Sequence, residues 1–127
     1  MAHSNEQTLR TIYDALAKGD VGTITGLLTD DIKFHISGRS PVSGEYSGKE
    51  EVLGFIGQLM ERSGGTFSVE VLDTLANDHH GVALTMESGE REGKTLQNRA
   101  AHVWDMQAGK CTNFRGYNEN AWDDFWS

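Results

Sequence analysis

The sequence predicts an α+β domain in which a curved antiparallel sheet wraps around three helices of the N-terminal half. Two amphipathic segments open the chain, a third follows one alternating segment, and the remainder alternates apolar and polar residues with period two between short turn signals. Helical stripes need a surface to bury against, and strands joined by short turns pair as an antiparallel meander, so the helices must cover one face of the sheet. A sheet curled around helices leaves a cavity at its open end.

Ser4 and Gln7 have the spacing of a capping box, and Leu9, Ile12, Tyr13 and Leu16 then share one face of a helix ending at Lys18-Gly19. Asp20 caps a second, short helix carrying Val21, Ile24, Leu27 and Leu28, which Thr29-Asp30-Asp31 breaks. From Ile32 to Ser37 the chain alternates, with Ile32, Phe34 and Ile36 on one face of a half-buried strand and Lys33, His35 and Ser37 on the other. A loop of Gly, Ser and the single proline runs from Gly38 to Tyr46. Ser47 and Glu50 form a second capping box, behind which Val52, Leu53, Phe55, Ile56, Leu59 and Met60 give a helix with a wide apolar stripe, stopped by Gly64-Gly65. Four strands follow, Thr66–Leu75, Gly81–Glu87, Thr95–Met106 and Lys110–Tyr117, with turns at Asn77-Asp78, from Ser88 to Gly93, and at Ala108-Gly109.

At 127 residues, without repeats or a linker, the chain reads as one domain over 1–127. A formal charge of -8 leaves no basic patch to neutralise phosphates, so nucleic acid is not an expected partner. No apolar run approaches the roughly 20 residues of a membrane-spanning helix, and the start lacks a secretory pattern, so the expected location is cytoplasmic. Cys111 is the only cysteine, which excludes an internal disulfide and a multi-cysteine metal cluster. His79 and His80 are adjacent and cannot share a strand face, so they do not suggest a metal site.

Phe34 through Arg39, Gly44 through Lys49, Gly64 through Phe67, Val103-Trp104 and the ending Tyr117 through Trp126, taken with the order of elements, resemble SnoaL-like proteins related to ketosteroid isomerases. The resemblance covers nearly the whole chain and implies the cystatin-like cone of the nuclear transport factor 2-like superfamily. That fold carries isomerases, polyketide cyclases, dehydratases, epoxide hydrolases and proteins without catalysis. Ketosteroid isomerases use a Tyr on the first helix and a late Asp as oxyanion donors, with a second Asp moving the proton. Here the Tyr position aligns with Ile12, with Tyr13 beside it; the oxyanion Asp with His102; and the base with Ile36 or His35. Where SnoaL-like cyclases place an Asp after the last strand, this chain has Asn118, and Glu119 substitutes only if it turns inward.

His102 shares a strand face with Ala100 and Trp104, so it is expected to point into the cone, where an imidazole, with a solution pKa of about 6.5, serves as acid or base at neutral pH. Alternation alone turns His35 outward, whereas the resemblance favours it as a second pocket imidazole; both orientations stay open. Asn118 and Tyr46 are expected to position a substrate carbonyl, and Arg39 to lie over the mouth, where it attracts an anionic or carbonyl-bearing ligand. Phe55, Leu59, Met60, Met86, Trp104 and Phe114 are expected to line the walls. Asn98 and Glu87 are weaker candidates, and Glu87, at odd spacing from Leu84 and Met86, reads as facing solvent. The aromatic tail Ala121 to Trp126 is too apolar for water and packs across the cone or against a partner.

The expected function is cofactor-free proton transfer next to a carbonyl, of the isomerase, cyclase or dehydratase type, on a small hydrophobic substrate. The alternatives are a non-catalytic binding protein of the same fold and an epoxide hydrolase, which needs an inward Asp and Arg. The resemblance also implies a homodimer paired through the outer sheet faces.

Overall fold

The computed structural model describes residues 3–118 and 121–127. Helices Ser4–Lys18 (α1) and Val21–Gly26 (α2) lead into strands Leu28–Ile36 (β1) and Gly44–Ser47 (β2), then helix Gly48–Arg62 (α3). Strands Ser68–Ala76 (β3), His80–Arg91 (β4), Lys94–Gln107 (β5) and Lys110–Asn118 (β6) form the meander, and helix Ala121–Trp126 (α4) follows. They build one six-stranded sheet in the order β2-β1-β6-β5-β4-β3. The α+β class and the antiparallel meander are as the sequence predicts.

The sheet is mixed, because β1 runs parallel to β6 while every other pair is antiparallel. The predicted loop over 38–46 is a hairpin connection whose far side is β2, so β2 takes the outer edge of β1 and leaves its inner edge for β6. Thr29-Asp30-Asp31 does not end a helix; it lies inside β1, where the pairing with β6 slips between Leu28 and Lys33. The cap of α1 sits one residue earlier than predicted: Asn5 N–H donates to His3 Nδ1 at 3.1 Å, and His3 N–H donates to Glu6 Oε2 at 3.2 Å. At α3 the Ser47 side chain makes no cap bond, and its N–H donates instead to Glu51 Oε1 at 2.9 Å. Gly19 closes α1 in the left-handed region, at φ 70°, as a glycine just past a helix should.

The helices all bury against the inner face: α1 on β3 and β4, α3 on β1 and β2, α4 on β5. Leu9, Ile12 and Tyr13 of α1 join Val52, Phe55 and Leu59 of α3 in one buried cluster with Ile32, Phe34, Trp104 and Phe114 of the sheet. Each such side chain contributes about 1.5–3 kcal/mol on burial, so these contacts far outweigh the helices' intrinsic propensity.

The inner face of β4 is made of Gly81, Ala83, Thr85, Glu87 and Gly89, which places Val82, Leu84 and Met86 on the outer face, opposite to the expectation. Proximity of the helices explains the small residues. A Cβ on Gly81 would stand 2.6 Å from Leu9 Cδ1, and one on Gly89 would meet Phe125 Cζ at 3.4 Å. The aromatic tail folds as α4 across the cone, with Trp122, Phe125 and Trp126 buried. Arg91 Nη1 and Lys94 Nζ donate to the Ser127 oxygen at 2.8 and 3.3 Å, and Lys94 also to Asp124 O at 2.9 Å, neutralising carbonyls at the helix C-terminus.

Candidate functional site

Register brings the polar residues of the inner face together. Glu87 of β4 stands directly opposite Asn98 of β5, and Ala100, two residues on, faces Asn118 of β6. Asn98 Nδ2 therefore donates both to Glu87 Oε1 at 2.8 Å and to Asn118 Oδ1 at 3.1 Å. His102 lies two further positions along β5, and its Nε2 reaches Glu87 Oε2 at 3.2 Å. On the other side, His102 Nδ1 is 2.6 Å from the hydroxyl of Tyr13, which arrives from α1 on the stripe that also carries Leu9, Ile12 and Leu16. Trp104 Nε1 donates to the same hydroxyl at 3.1 Å.

The donors dictate the proton positions for a neutral imidazole. An ionised carboxylate offers only lone pairs, so Nε2 carries the hydrogen toward Glu87 and Nδ1 accepts from the Tyr13 O–H. Burial holds the Tyr13 hydroxyl well above its ordinary pKa, keeping it a donor throughout the neutral range. Glu87, Asn98 and His102 are only 3, 0 and 6 % exposed, so none of these bonds competes with bulk water.

This network borders an apolar chamber of about 70 Å³ walled by Phe34, Phe55, Leu59, Trp104, Phe114 and Trp122. Phe114 packs against His102, Trp104 and Phe34 at ring distances of 5.0, 4.7 and 4.5 Å, which fixes the imidazole edge-on to it. Trp122 contributes an indole N–H that is buried without a partner among the described residues.

Of the residues predicted for the site, His102, Asn118, Phe55, Leu59, Met60, Trp104 and Phe114 line the chamber. His35 does not join them. Strict alternation along β1 turns it to the outer face, where Nδ1 pairs with Glu45 Oε1 at 2.7 Å from the neighbouring strand. Met86 is likewise on the outer face, because the alternation of β4 is fixed by its small residues and not by its large ones. Tyr46 donates its hydroxyl to Val42 O at 2.7 Å and packs on Phe55 at a ring distance of 4.8 Å, and it does not line the chamber. Arg39 is exposed, and it is its main-chain N–H that is engaged, by the Asp123 carboxylate at 3.1 Å. Glu119 lies outside the described residues.

Tyr13 is the member that sequence reasoning missed, and Glu87 is a weaker candidate that it turned toward solvent but that the fold buries on the inner face. The signal for Glu87 was the even spacing of Gly81, Ala83, Thr85 and Gly89, the one face that helices can approach closely. Tyr13 was already on the inward stripe, and only the alignment to Ile12 drew attention from it. Cys111 is buried and its thiol is pushed up to about 12 by desolvation, which leaves it unreactive. Among the described residues that line the chamber there is no Asp and no Arg, so the pair needed for epoxide opening is not formed. Among the described residues, no helix is long and apolar enough to cross a membrane.

Comparison with known proteins agrees with this architecture. The chain is 25% identical over 122 residues to an uncharacterized protein of Mycobacterium tuberculosis, covering 94% of this chain and 93% of that one. Its fold matches Bal32a, from a soil-derived mobile gene cassette, with a TM-score of 0.95 and 30% identity over 99% of this chain and 98% of that one. TerC, crystallised with polyporic acid, shares the fold at a TM-score of 0.85 and 16% identity, over 97% of this chain and 98% of that one. The model of the SnoaL-like domain matches residues 9–114, which reaches from the first helix to the last strand, and the chain therefore belongs to the SnoaL-like domain family.

Proposed function

We propose that this protein is a cofactor-independent enzyme that moves a proton on the carbon next to a carbonyl of a small apolar substrate, as an isomerase, cyclase or dehydratase does. The observation that carries this reading is the 2.6 Å pair of Tyr13 Oη and His102 Nδ1, backed by Glu87 and placed at the edge of an apolar chamber. When a carbonyl oxygen enters, the Tyr13 O–H turns from Nδ1 onto it, freeing the Nδ1 lone pair beside the adjacent carbon. The C–H proton passes to Nδ1, the bonding pair delocalises into the carbonyl, and the resulting enolate oxygen accepts from Tyr13. Glu87 holds Nε2–H and stabilises the imidazolium, as a carboxylate does behind a catalytic histidine. The proton then returns from Nδ1 to a carbon or to a leaving oxygen, which separates isomerisation from dehydration. Asn98 and Asn118 keep Glu87 oriented.

The same reading includes a cytoplasmic location and a homodimer formed through the outer sheet face, where Leu75, Leu84 and Tyr117 are 54, 41 and 54 % exposed. The second reading, binding without chemistry, is favoured by the internal engagement of both imidazole nitrogens and both carboxylate oxygens.

The test is hydrogen–deuterium exchange next to the carbonyl of simple ketones in D₂O, followed by proton NMR. Wild-type protein should accelerate exchange and His102→Ala should abolish the acceleration. Ketones that bind without any acceleration would establish the binding reading instead.

A further inference from the structure

The chamber beside His102 is too small for a whole ligand. Its volume of about 70 Å³ is below the roughly 150 Å³ of a protein cavity that accepts benzene, whereas ligand pockets run to about 300–1,000 Å³. It is, however, the inner end of something larger. Tyr13, Leu16, Ile56, Met60, Phe67 and Val69 wall both the chamber and a groove of about 620 Å³ that lies between α1–α2 and α3. Chamber and groove together form a cavity with a narrow head and a wide, open body.

The groove is mostly apolar, with Ala17, Val21, Leu53 and Gly57 continuing the shared wall and Lys18, Thr66 and Ser68 as its polar side chains. Its one cation among the described residues, Lys18, points into solvent and is paired with Asp14 at 2.9 Å, and the Thr66 hydroxyl is bonded to Ser63 O at 2.7 Å. The groove therefore offers a ligand body no unpaired charge. Gly57 is the informative residue. A glycine inside a helix costs about 0.5–1 kcal/mol against alanine, and packing does not demand this one, since a Cβ there would meet no atom within 4 Å. What glycine does at this position is keep the groove wide.

We infer that the ligand is a narrow-headed carbonyl compound with an uncharged aliphatic tail, its carbonyl end in the chamber and its tail along the groove past Gly57. A fused polycyclic ketone, whose ring bearing the carbonyl exceeds the chamber, is excluded. The inference rests on the reading of the chamber as the carbonyl's place, and adds the shape of the molecule that brings it there.

The experiment titrates 2-butanone, 2-octanone, 2-undecanone and a steroid-type ketone into ¹⁵N-labelled wild-type protein, Gly57→Leu and the control Gly54→Leu, a position where an added Cβ also meets no atom within 4 Å and which does not line the groove. Wild type and the control should bind the 2-alkanones about two- to fourfold more tightly per added methylene, up to the length of the groove, with amide shifts at Leu53 and Gly57 as well as near His102. Gly57→Leu should keep its fold, judged by thermal melting, and lose the gain with tail length. Affinity that is flat across the series, or a steroid-type ketone bound as tightly as 2-undecanone, would overturn the inference. Carbonyl-adjacent exchange measured in the same samples separates the two readings. Tail-dependent binding without exchange retains the groove and removes the chemistry, and exchange without tail dependence does the reverse.

Discussion

Tyr13 and His102, 89 residues apart in the chain, share a 2.6 Å hydrogen bond and lie nearly parallel, with rings 5.7 Å apart and inclined by 18°. The bond ties α1 to β5 and satisfies two buried groups at once, since Trp104 Nε1 donates to the same oxygen. Tyr13→Phe keeps the ring and strands both partners. It should destabilise the fold by about 1–3 kcal/mol in urea denaturation and lower carbonyl-adjacent exchange by about 10²-fold.

The Glu87 carboxylate, which offers only lone pairs, fixes hydrogen on the imidazole nitrogen that faces it. Long-range ¹H–¹⁵N spectra at neutral pH should show the His102 tautomer protonated at Nε2. In Glu87→Gln the amide must turn a donor toward either Asn98 Nδ2 or His102 Nε2–H, so one buried bond is lost at a cost of about 1–3 kcal/mol. Exchange should fall further than stability alone explains. Spectra unchanged by this substitution would remove Glu87 from the mechanism.

Alkaline pH should lower the protein's stability over two overlapping ranges. The buried Cys111 thiol is raised from 9.0 to about 12, and the Tyr13 hydroxyl is raised well above 10.0, both by desolvation. The unfolded chain therefore loses these protons first, the native state binds more of them, and stability falls as pH rises above about 9. Cys111→Ala should flatten the loss between pH 9 and 10 and leave the steeper fall above 10. Thermal melting across this range reads both.

Gly38 has φ 103°, and a Cβ there would overlap the carboxylate of Asp123, which holds α4 to the Arg39 N–H. Gly38→Ala should release α4, with a destabilisation of about 1–3 kcal/mol and a red shift of tryptophan emission as Trp122 and Trp126 meet water.

If the outer sheet face pairs two copies, Leu84→Glu puts a charge into its centre and should yield a monomer by light scattering while the fold is retained. A wild-type monomer at micromolar concentration would refute the pairing.

The helices, the meander and the inward side of β5 were legible in the sequence, because large apolar residues mark those faces without ambiguity. The site was half legible. His102, Trp104, Phe114 and Asn118 follow from simple alternation along β5 and β6. Glu87 did not, because β4 reverses the usual rule: its helix-covered side carries Gly81, Ala83 and Gly89, and its large residues cover the outside. A single strand gives no hint of what will approach it. His35 was undecidable for a related reason, since the resemblance placed it at a functional position while the pleat turned it away, and the pleat prevailed.

The parallel pairing of β1 with β6 links Leu28 to Cys111 and Ile36 to Gly116, the longest leaps in the sheet. The β1–β2 hairpin has no other neighbour in the sheet than β6. During folding, then, the meander can zip from turn to turn, but this hairpin has to wait for a strand about eighty residues downstream, with the entropy of closing that loop set against it. Docking of β1 is thus the natural late step. Because α3 grows directly out of β2 and supplies Phe55 and Leu59 to the chamber, the ligand cavity takes shape only when the sheet itself is complete.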